Sequence, residues 1–65
     1  MNIETRNYTE KEAAPLLGVS IKTLQLWRHE RRGPDYIKLG RRVFYYGPDL
    51  LTYIDQCRVV HGGGK

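Results

Sequence analysis

The chain has 65 residues, enough for one small domain, and a domain of this size buries only about 60% of the surface its unfolded chain exposes. A substrate-enclosing cleft would consume most of such a core. One cysteine, Cys57, and two distant histidines, His29 and His61, leave no intramolecular disulfide and no cysteine-based zinc site. The net charge is +4, and it is unevenly spread: residues 1–19 sum to −1, residues 20–46 to +5 and residues 47–65 to zero. An excess confined to the middle third suits either a polyanionic partner or a solvated basic surface.

Residues 1–7 are polar and read as a loosely ordered lead-in. A helix is expected to start at Thr9, because Thr9-Glu10-Lys11-Glu12 has the spacing of a capping box with Tyr8 as a hydrophobic staple. Ala13, Ala14, Leu16 and Leu17 give it an apolar side, and Gly18 suits a left-handed end. Pro15 deletes the bond to the Lys11 carbonyl, so a kink or irregular turn is expected there.

Gly18-Val19-Ser20 reads as a tight turn, with Ser20 capping a second helix from Ile21 to about Arg31. Gly33-Pro34 stops it. Two short helices joined by a Gly-headed turn form a helix-turn-helix unit. On a helical wheel Leu24 and Trp27 face the core, with Arg31 in their sector, and Lys22, Gln25, Leu26 and His29 face away. Arg28 and Ile21 flank one edge, Thr23 and Glu30 the other. Arg31 and Arg32 complement the helix dipole at its C-terminus.

From Tyr36 the periodicity is two. Residues 36–39 read as a strand, Gly40-Arg41 as the turn and residues 42–46 as the returning strand. Ile37, Leu39, Val43 and Tyr45 are expected to face inward, and Lys38, Arg42 and Phe44 outward. Gly47-Pro48-Asp49 opens a third helix whose apolar stripe is Leu50, Leu51, Tyr53, Ile54 and Cys57, the last a buried and inert thiol. The Gly-rich tail has no periodicity and reads as disordered. The fold class expected is mostly α with a small β-hairpin, a winged helix-turn-helix over residues 8–57 with flexible termini at 1–7 and 58–65.

The stretch from Tyr8 to Ile54 resembles the excisionase and AlpA-like branch of the MerR-type winged helix-turn-helix families. The resemblance is carried by Glu12-Ala13-Ala14, Leu17-Gly18-Val19-Ser20, Thr23-Leu24, Trp27, Lys38-Leu39-Gly40-Arg41-Arg42 and Asp49-Leu50, in that order and spacing. The chain departs from the family pattern at Pro15, and at Ile21, Leu26 and Phe44, where it is apolar. The resemblance implies that the second helix enters the major groove of double-stranded DNA. Lys22 and Gln25 have the chemistry to bond guanine and adenine edges, and Leu26 to touch a thymine methyl. Thr23, Arg28 and His29 complete the helix candidates, Arg28 being better placed for a phosphate. In the wing, Lys38, Arg41 and Arg42 suit the backbone or a narrow minor groove.

One such module buries roughly 600–1,000 Å² on DNA and reads few base pairs, so cooperative binding of copies side by side is expected. An integrase or recombinase is the protein partner that the resemblance implies. Three roles stay open: an excisionase-like recombination directionality factor from a mobile genetic element, a small AlpA-type transcriptional regulator, and a protein-interaction adaptor using Leu26, Phe44 and Tyr46. No carboxylate pair or nucleophile–base arrangement supports an enzyme, and no cofactor is expected. The single cysteine fits a reducing compartment, and no apolar run approaches the roughly 20 residues of a membrane helix, so a cytoplasmic location without membrane contact is expected.

Overall fold

A computed structural model describes residues 2–59. The element order is β1 (Asn7–Thr9), α1 (Glu10–Leu17), α2 (Ile21–His29), β2 (Ile37–Leu39), β3 (Arg42–Tyr46) and α3 (Gly47–Gln56). Three helices and a three-stranded antiparallel sheet of order β1-β3-β2 make a winged helix-turn-helix.

Local chemistry sets the helix ends. The Thr9 hydroxyl accepts from the Glu12 N–H at 3.2 Å, and the Glu12 carboxylate accepts from the Thr9 N–H at 3.0 Å. Together they close the capping box. That backbone bond, with Arg6 close by, holds the Glu12 carboxyl below its ordinary range. Gly18 ends α1 at φ +73, and Val19 donates back to the Ala14 carbonyl at 3.0 Å. Ser20 then caps α2, its hydroxyl accepting from the Thr23 N–H at 3.0 Å. The expected irregularity at Pro15 is absent, since α1 runs unbroken through it. Pro15 and Lys11 are both exposed, so water can reach the carbonyl that loses its donor.

The core consists of Tyr8, Ala13, Ala14, Leu24, Tyr45 and Leu50, with Ile3, Leu16, Leu17, Val19, Trp27 and Val43 packed around it. The two small alanines let α1 approach α2, β3 and α3 together. Trp27 is half-buried and meets the Tyr53 ring at 5.9 Å between centroids.

Four more expectations are corrected. The lead-in is not loose over residues 3–7: Asn7 begins β1, Ile3 packs on the core, the Glu4 N–H donates to the Tyr8 hydroxyl at 2.7 Å, and the Gly47 N–H donates to the Arg6 carbonyl at 2.8 Å. Cys57 is exposed, because it lies at the C-cap of α3, beyond the last turn that covers the core. Leu51 is exposed as well, a quarter-turn off the line of Leu50 and Ile54.

The fourth correction concerns the faces of the wing. Gly40 takes φ +62 in a two-residue turn, which pairs Leu39 with Arg42, Lys38 with Val43 and Ile37 with Phe44. Directly paired residues share a face. Val43 and Tyr45 therefore face the core as expected, but Ile37 and Leu39 lie on the other face with Arg42 and Phe44. Leu39 is 59% exposed. Lys38 is on the Val43 side, opposite to Arg42, although exposed near the wing tip. The tail beyond Val59, His61 included, lies outside the described residues.

Candidate nucleic-acid interface

The outward face of α2 follows from what its inner face buries. Leu24 is fully buried, which turns Lys22, Gln25, Leu26 and His29, spaced i, i+3, i+4 and i+7, into solvent as one continuous strip. Leu26, at its centre, is 53% exposed. Ile21, at the helix start, is exposed too. The strip offers an ammonium, a carboxamide, an imidazole and an apolar side chain, which can make polar and methyl contacts along a groove floor.

Thr23 and Arg28 sit differently. Thr23 is half-buried, and its hydroxyl accepts from the Ser20 hydroxyl at 3.0 Å, so it belongs to the cap as much as to the exposed face. The Arg28 Nε donates to Glu10 Oε2 at 2.9 Å, with the two side chains only 20% and 18% exposed. This pair ties α2 to the first turn of α1. The Arg28 guanidinium also lies 5.7 Å from the centroid of the Tyr36 ring. Tyr45 lies buried behind them, and burial, with the Glu10 charge adding to it, pushes its hydroxyl up to about 12. A helical wheel places Arg28 on the flank but cannot show a partner on another helix.

The second basic group is the wing. Lys38, Arg41 and Arg42 are all exposed, with Arg41 in the turn. The Arg42 guanidinium sits 5.3 Å from the centroid of the half-buried Phe44 ring, which braces it on the outer face. The structure thus gathers Lys22, Gln25, Leu26 and His29 on one face and Lys38, Arg41 and Arg42 around the hairpin tip. It draws Thr23 and Arg28 partly into the scaffold.

Sequence reasoning gave Arg31 and Arg32, in the connection between α2 and β2, a role at the helix dipole and kept them only as lesser candidates for contact. There Arg28, Arg31 and Arg32 line an open concavity with Gly33, Pro34, Asp35 and Tyr36. The signal available was three arginines within five residues, directly before a Gly-Pro stop. Among the described residues no cluster of three histidine, cysteine or acidic side chains could hold a metal ion. No helix among them is long and apolar enough to cross a membrane.

A family model described as a helix-turn-helix domain matches residues 8–58, most of the chain. The chain belongs to that helix-turn-helix family. The family covers small DNA-binding proteins of the excisionase and AlpA-like kind. No curated protein and no solved structure matches the chain. The matched span includes the exposed strip of α2, the wing and all of α3, so the helix-turn-helix assignment covers both basic groups.

Proposed function

We propose that this protein binds double-stranded DNA in a sequence-dependent way, with α2 in the major groove and the wing against the backbone or the adjacent minor groove. The observation that carries the reading is the pairing of an exposed polar strip on α2 with a basic hairpin tip on the same small scaffold. Lys22 and Gln25 read base edges, Leu26 meets a thymine methyl, and His29 and Thr23 contact the edges of the same groove. Arg41, Arg42 and Lys38 hold phosphates. Arg28 reaches a phosphate only through the side of its guanidinium left free by Glu10. Within this reading an excisionase-like accessory role in recombination is preferred, supported by the motif order from Glu12 to Asp49. An AlpA-type regulator would use the same contacts. An integrase and further copies of the chain are the proposed partners on DNA.

Titration of duplex DNA at several salt concentrations tests the reading. Binding should weaken steeply with salt, because phosphates recover their counterions, and Arg41→Ala should lower the log–log slope by about one. A duplex carrying repeated sites should fill cooperatively. Absence of binding, or affinity indifferent to salt, would overturn the reading. It would favour the adaptor, for which the exposed Leu26 and Tyr46 are the observation in hand.

A further inference from the structure

The segment that follows α2 holds a residue its backbone does not favour. The Arg32 N–H donates to the Trp27 carbonyl at 2.9 Å and the Arg31 N–H to the Arg28 carbonyl at 3.2 Å, while Arg31 takes φ +58. These are the paired bonds of a Schellman motif with Arg31 at the left-handed position. The end of α1 repeats the motif: Val19 donates to Ala14 at 3.0 Å, Gly18 to Pro15 at 3.1 Å, and Gly18 takes φ +73. One chain therefore fills the same backbone position with glycine in one helix and arginine in the next. A Cβ there meets steric resistance that glycine escapes, and such a residue persists where something else requires its side chain.

The helix dipole does not single out this position, since Arg28 already stands in the last turn of α2 and Arg32 follows directly after Arg31. Local pairing does not supply it either. Arg28 is held by Glu10 at 2.9 Å, and Arg32 sits 3.5 Å from Glu30 and 5.6 Å from the centroid of the Trp27 ring. Arg31 is exposed, and among the described residues its guanidinium makes no ion pair or hydrogen bond. The concavity these arginines line also contains Asp35, so its lining keeps a net positive charge. It is closed behind by Gly33 at φ +88, where a Cβ would meet Trp27 Cε3 at 2.8 Å. The backbone here is thus fixed at both ends, and the Arg31 side chain is its unused group.

We propose that this concavity is a binding site for a backbone phosphodiester of duplex DNA, with Arg31 as the principal contact. The inference rests on the DNA-binding reading above and adds a site to it. A major groove and its neighbouring minor groove are separated by one sugar-phosphate strand. A protein with a helix in one and a wing in the other must straddle that strand, and the α2–β2 connection is the segment of chain that joins the two elements. The guanidinium has the planar donor fork that phosphate oxygens accept.

Arg31→Gly tests the site by two shifts of opposite sign. Relief of the left-handed position, less the backbone entropy that glycine adds to the unfolded chain, should raise Tm by about 2–4 °C. Loss of the contact should weaken duplex affinity about threefold to tenfold on all sequences alike, and lower the salt slope by about one. Arg31→Lys, which keeps the charge, should retain the slope. An Arg31→Gly chain that binds with wild-type affinity and slope would overturn this site and leave the DNA reading standing. So would an unchanged or lowered Tm, because the arginine would then not be held against its preference. A wild-type chain with no salt-dependent binding would overturn the DNA reading and the site together.

Discussion

Gly47→Ala offers the sharpest test of how the fold is closed. Gly47 opens α3, where helix propensity alone favours alanine by up to about 1 kcal/mol. Space argues the other way. An alanine Cβ at this position would overlap the Glu4 carbonyl oxygen outright and crowd Ile3 Cγ2 at 3.3 Å. The oxygen is main chain and cannot swing aside as a side chain would, so the segment from Ile3 to Arg6 must leave. Two hydrogen bonds go with it, Gly47 N–H to the Arg6 carbonyl and Glu4 N–H to the Tyr8 hydroxyl. At about 1 kcal/mol net for each bond and about 1 kcal/mol for half-buried Ile3, the ceiling is about 3 kcal/mol. Freed backbone regains entropy and lowers that figure, so the expected loss is about 1–3 kcal/mol. A drop in Tm of roughly 5–20 °C by circular dichroism corresponds to it. In a chain lacking residues 1–5 the same substitution should become neutral or stabilising, because the obstructing oxygen is gone. A Tm for Gly47→Ala equal to or above wild type would refute the close approach of the lead-in to α3.

Two further outcomes follow from the scaffold. Tyr45 is buried with its hydroxyl pushed up to about 12, so the folded state favours the neutral phenol. Its contribution is fully present below about pH 10 and is lost as pH rises from 10 to 12, amounting to about 2–3 kcal/mol. Urea midpoints across that range, compared with Tyr45→Phe, isolate the effect; equal pH dependence in the two chains would contradict it. Thr9→Ala should cost about 1 kcal/mol through loss of the bond to the Glu12 N–H, measurable by thermal melting. It should leave the Glu12 carboxyl low, because the Thr9 N–H that holds it is main chain. That half of the cap should then disappear as pH falls through the lowered value.

Much of the helical part was legible because its determinants are local. The Thr9–Glu12 box, left-handed Gly18 and the Ser20 cap are each decided within four residues. β1 was not legible, since its three residues have no apolar alternation of their own and owe their conformation to β3, more than thirty positions away. The faces of the wing were legible and misread. A two-residue turn obliges residues 39 and 42 to share a face, whereas apolar side chains at 37 and 39 invite the opposite choice. The sheet leaves that face open, so hydrophobicity was the weaker guide. For the candidate interface, the strip on α2 followed from helical periodicity once Leu24 was placed inward. The Arg28–Glu10 pair and the left-handed Arg31 did not, because the first joins two helices and the second is a backbone state.

The sheet also gives the wing two mechanical regimes. β1 pairs with residues 44–46 of β3 and β2 with residues 42–44, so only Phe44 has a neighbour strand on both sides. Stiffness therefore steps down toward the hairpin tip: its root is clamped to the core through Tyr45, while Leu39 to Val43 form a ribbon two strands wide. Such a ribbon can follow a groove that narrows or widens along a duplex without passing the bend to the helices. The N-terminal strand, whose pairing with β3 ends at Phe44, sets where that compliance begins.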